Sequence, residues 1–106
     1  MTYKYGVYPS NQFQSFKKRL HSWVHWFLIY VEQNEPHENV NKYFTKIQYE
    51  INGLNELLNH PAQVVEIMTL LESAKIEYNK PDFDYRVYRK IIFDVHELID
   101  RISDGD

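Results

Sequence analysis

The sequence predicts an all-α fold, an antiparallel up-down four-helix bundle with a short extended N-terminal arm. Three observations carry the prediction. Large apolar residues recur at steps of three and four through four stretches, the breaks between them are short and carry Pro or Asn, and 106 residues suit a single core. Residues 1–106 are therefore expected to form one helical domain, with 1–9 as the arm and 104–106 as a frayed tail.

The arm, TYKYGVYP, alternates Tyr3, Tyr5 and Val7 against Lys4 and Gly6 and is ended by Pro9. One extended segment makes no sheet by itself, so it is expected to lie over the helices. The first helix is expected from about residue 11 to 33, with Ser10 or Asn11 accepting the free amides of its first turn. Its seam is Phe13, Phe16, Leu20, Trp23, Phe27 and Tyr30. Pro36, in the linker QNEPHEN, stops this helix or opens the next.

The second helix is expected over about 38–58, with Val40, Phe44, Ile47, Ile51, Leu54 and Leu58 as its seam. Gly53 lies off that seam, where it marks either a close approach by another segment or a tolerated weak spot. Asn59-His60-Pro61 breaks the chain, and Pro61 suits the first position of a third helix with seam Val64, Ile67, Leu71, Ala74 and Tyr78. Asn79-Lys80-Pro81 breaks it again. Asp82 or Asp84 then caps a fourth helix with seam Tyr88, Ile91, Val95, Leu98 and Ile102. The first and fourth helices are both basic early and acidic late, so they attract as antiparallel neighbours.

Composition narrows the function classes. Without Cys there are no disulfides, thiolate nucleophiles or Cys-based zinc sites. The longest apolar stretch, 23–31, falls well short of the ~20 residues a membrane span needs, and the N-terminus shows no signal-like segment, so a cytoplasmic setting is expected. A net charge of -3 argues against nucleic acid as partner, since Lys17-Lys18-Arg19 is the only basic run. Three glycines cannot build a phosphate-cradling loop, and no serine stands in a GxSxG elbow. No cofactor and no small-molecule substrate are indicated. Richness in Asn, Ile, Lys and Tyr suggests a low-GC bacterial source.

Candidate chemistry begins with His21 and His25. Spaced i and i+4, they share a helix face and could hold two corners of a metal site, with His96 beside Glu97 or Asp100 as a third ligand. The seam nevertheless places both at outer positions, and HExxH and the ExxH pair of di-iron bundles are absent. Asp94, His96, Glu97 and Asp100 read as a charged, solvated stripe rather than an acid–base pair in a cleft. Glu35, His37 and Glu38 read as a solvated loop and helix start.

The feature left over is apolar excess. Residues 26–31, WFLIYV, are apolar at every helical position, and Tyr49, Ile76 and Phe93 also fall off the seams. Tyr3, Tyr5, Trp26, Leu28, Ile29, Val31 and Phe93 are therefore the candidate interaction surface, covered by the arm, a second copy in a homodimer, or a protein partner. The expected function is a non-enzymatic helical interaction or regulatory protein. A metal-dependent bundle enzyme using His21 and His25, and a nucleic-acid accessory protein using Lys17, Lys18 and Arg19, are the rivals.

Overall fold

The computed structural model describes the backbone of residues 2–3, 6–7, 10–57 and 62–102, and the side chains of 14–56 and 62–102. Two short strands, β1 (Thr2–Tyr3) and β2 (Gly6–Val7), precede four helices: α1 (Ser10–Glu32), α2 (His37–Leu57), α3 (Ala62–Tyr78) and α4 (Tyr85–Arg101). The arm is extended as expected, but it pairs with itself. Thr2 lies opposite Val7 and Tyr3 opposite Gly6 in an antiparallel pair. Pairing satisfies backbone groups that a lone extended segment leaves open. The side chains of Tyr3 and Tyr5, the Ser10 or Asn11 cap, Leu58, Pro61 and the frayed tail lie outside the described residues.

The helices form a compact bundle in which α1 packs on α2 and α4, and α3 packs on α2 and α4. Contacts fix the sense of one pair directly. The Lys17 ammonium donates to the backbone carbonyls of Asp100 (3.2 Å) and Ile102 (2.9 Å). Further along α1, Tyr88 Oη donates to the Phe27 carbonyl at 3.0 Å, and Tyr85 Oη donates to Glu32 at 2.9 Å. Partners descend on α4 as they ascend on α1, so these two helices run antiparallel. Lys17 thereby meets the negative end of α4, which is where a cation is stabilised.

The ends are built from local chemistry. α1 closes with Asn34 in the left-handed region (φ 56°), its amide on Val31 and the Glu35 amide on Tyr30. Asn tolerates that backbone better than most side chains, and the two bonds satisfy carbonyls the helix end leaves open. Pro36 then opens α2, its carbonyl accepting from Asn39 and Val40. Asp84, not Asp82, caps α4, accepting from the Arg86 amide at 2.9 Å.

The seams of α2 and α3 are buried wherever their side chains are described, from Val40 to Leu54 and from Val64 to Tyr78. The seam of α1 is rotated from expectation, whereas that of α4 is buried at Tyr88, Val95, Leu98 and Ile102 and widened beyond it. On α1 the buried residues are Leu20, Val24, Phe27 and Leu28, while Phe16, Trp23 and Tyr30 are half-buried. On α4, Ile92 and Ile99 are buried and Ile91 only partly so. A helix with two neighbours buries the arc between them, wider than a single 3-4 seam and centred where the neighbours stand. Among the described residues, Gly53 marks no close approach: a side chain built there would meet none of them within 4 Å.

Candidate functional site

Three of the residues proposed as metal ligands come together across α1 and α4. The rings of His21 and His96 stack 4.1 Å apart and only 11° from parallel. His25 sits with its ring centroid 5.9 Å from that of His96, and His21 Nε2 lies 3.9 Å from an Asp100 carboxylate oxygen. Phe93 closes the group, its ring edge-on to His96 at 6.2 Å and covered by the Arg89 guanidinium at 4.6 Å. Antiparallel packing of α1 on α4 makes the cluster, because His21 and His96 stand at the same level on adjacent helices.

His96 departs from the expected solvated stripe. Only 8% of it is exposed, and its Nε2 has no hydrogen-bond partner among the described residues. Its place follows from Ile92 four residues before and Ile99 three after, which are buried outside the expected seam and set position 96 on the inner face. Burial in an apolar site disfavours the imidazolium, and the neighbouring His21 and His25 add repulsion. A bond to the His21 backbone and the Asp100 carboxylate oppose this, and the net effect lowers the pKa to about 4. His96 is therefore neutral near pH 7. Asp94 is half-buried, while Glu97 and Asp100 are exposed as expected.

The same stacking works against a metal centre. A metal bound to an imidazole nitrogen lies near the plane of its ring, and two nearly parallel planes about 4 Å apart share no such point. Among the described residues, no three His, Asp or Glu side chains are arranged to hold a metal ion. His37 is occupied elsewhere. It stacks on Tyr78 at 4.2 Å, and its Nε2 is 2.8 Å from Asn79 Oδ1, in a knot that Asn41 completes and that ties the start of α2 to the end of α3.

The candidate interaction surface is only partly exposed. Leu28, expected on the surface, is 3% exposed and belongs to the core. Ile29 and Val31 are half-buried. Trp26 and Phe93 remain open at 40% and 43%. Tyr49 and Ile76 are exposed as expected, and Val65 and Val87 join them. In the basic run, Lys17 binds the end of α4 and the Arg19 guanidinium lies 5.7 Å from the Phe16 ring, so local contacts already engage two of its three cations.

The fold and this surface define an all-α bundle with no described helix long and apolar enough to cross a membrane. No protein-family model, curated protein or solved structure matches the chain.

Proposed function

We propose that the protein acts by binding a protein partner or a second copy of itself, not by catalysis. The contact is made through the outward rings of α1 and α4. The observation that carries this reading is the exposure of Trp26 and Phe93 beside a core that encloses Phe27, Phe44 and Tyr88 completely. A small domain with rings to spare leaves these two open on α1 and α4, where a partner can cover them. Aromatic side chains gain much on such burial and are enriched at the centres of interfaces. Half-buried Ile29, three residues on from Trp26 and so on the same side of α1, widens the apolar surface.

A photo-reactive residue placed at position 26 or 93 tests the reading in the native host. Thr69, exposed on α3, serves as the control position. Cross-linked species concentrated at 26 and 93 are expected. Equal labelling at all three positions, or none at 26 and 93, would overturn the assignment.

A further inference from the structure

The exposed face of α4 is self-complementary. Arg86, Arg89, Phe93, Glu97 and Asp100 are all exposed and follow one another at steps of 3, 4, 4 and 3. That spacing is the same read in either direction, and the charges on its two halves are opposite. We propose that a second copy of this chain docks antiparallel across this face, on a two-fold axis through Phe93. Such an axis sets Arg86 against Asp100 of the second copy, Arg89 against its Glu97, and the two Phe93 rings against each other. An isologous contact of this kind makes every pairing twice. The inference rests on the interaction reading above and names its partner as a second copy.

The groups involved are free to make the exchange. The Arg89 guanidinium already lies over Phe93, 4.6 Å from the ring centroid, so it can keep that contact while reaching an acid across the axis. Among the described residues, Glu97 is held by Arg101 one turn on and Asp100 loosely by His21 at 3.9 Å. Exposed ion pairs such as these contribute little, so replacing them costs little. From Arg86 to Asp100 the face is about 21 Å long. One helix face of that length buries less than the ~1,000 Å² expected of a stable interface. The dimer is therefore weak, with a dissociation constant of roughly 0.1–1 mM. Charge sets its register, since like charges directly opposed would exclude a parallel alignment.

Sedimentation equilibrium of the whole chain tests this, with thermal melts to confirm that each variant folds. Wild type should dimerise in that range and weaken as salt is added. Arg89→Glu alone opposes acid to acid twice, and Glu97→Arg alone opposes base to base twice, so each should weaken self-association about tenfold or more. Mixed, the two variants oppose unlike charges at both positions and should recover association as a heterodimer. Arg86→Glu mixed with Asp100→Lys repeats the design at the outer pair if either inner variant fails to fold. A wild type that stays monomeric well above that range overturns the proposal. So do an Arg89→Glu chain that dimerises like wild type, and a mixture that recovers nothing. Cross-links from position 26 to a different protein, beside a purified chain that stays monomeric, would remove the self-pairing and leave the interaction reading standing.

Discussion

Phe27 meets Tyr88 in the middle of the bundle, and His21 meets His96 nearly two turns nearer the start of α1; both pairs join the same two helices. In the first pair the polar atom is provided for. Tyr88 is fully enclosed, its hydroxyl donates to the Phe27 carbonyl, and Phe44 and Tyr78 pack around it. Burial raises the pKa of Tyr88, which only keeps the phenol neutral as a donor. Tyr43 repeats the arrangement on the other flank of α1, donating to the Trp23 carbonyl. In the second pair a buried nitrogen lacks a partner among the described residues and the ring resists protonation. The same helix pairing thus yields a dry, satisfied lock in one place and a polar group buried at a cost in the other. A buried aromatic with a heteroatom strengthens a core only when its hydrogen bond is closed.

The largest expected effect comes from emptying the first cluster. Tyr88→Ala should lower unfolding stability by about 3–5 kcal/mol, read by denaturant titration, because it leaves a cavity where four helices meet. A loss below about 1 kcal/mol would show that the ring is not the lock described here.

Acid should act on the second cluster. His96 binds a proton near pH 4 when folded and near 6.5 when unfolded, so the unfolded chain takes up the proton first as pH falls. Its contribution is complete above pH 6.5 and is lost on the way down to about 4, by up to roughly 3 kcal/mol. Carboxylates add their own slope, and subtracting the curve of His96→Phe isolates the histidine. Identical pH dependence in the two proteins would contradict the assigned burial.

Tyr88→Phe keeps the ring and removes only its hydroxyl, so it should cost about 1 kcal/mol. Comparison with Tyr88→Ala then separates packing from hydrogen bonding. The smallest effect is expected from His21→Gln combined with His25→Gln. Stability near pH 7 should change by less than about 1 kcal/mol, since His25 is exposed and His21 half-exposed. The His96 pKa, followed by NMR titration, should rise once the repulsion from His21 and His25 is gone. A fall would contradict the repulsion assigned to them, since losing their shelter would also raise the value.

Much of this architecture was legible in the residues. The runs Val40–Leu54 and Val64–Tyr78 state their inner faces, because the apolar positions there have one spacing and polar residues separate them. The Pro and Asn breaks place the helix ends to within a residue or two. The candidate site was harder to see. Position 21 and position 96 are distant in sequence, and only the packing of α1 against α4 stacks their rings. Leu28 looked surplus beside Phe27 because every residue of WFLIYV is apolar, so the pattern has no polar side by which to orient the helix.

The sequence alone therefore determines the number of helices, their breaks and the inner faces of α2 and α3, since periodicity and local capping are properties of consecutive residues. Only the tertiary structure decides which arc of α1 and α4 is buried, that His96 lies inside, and that Trp26 and Phe93 stay open. Burial at those positions depends on where the neighbouring helices stand, and a chain rich in rings offers more apolar arc than its own bundle can cover.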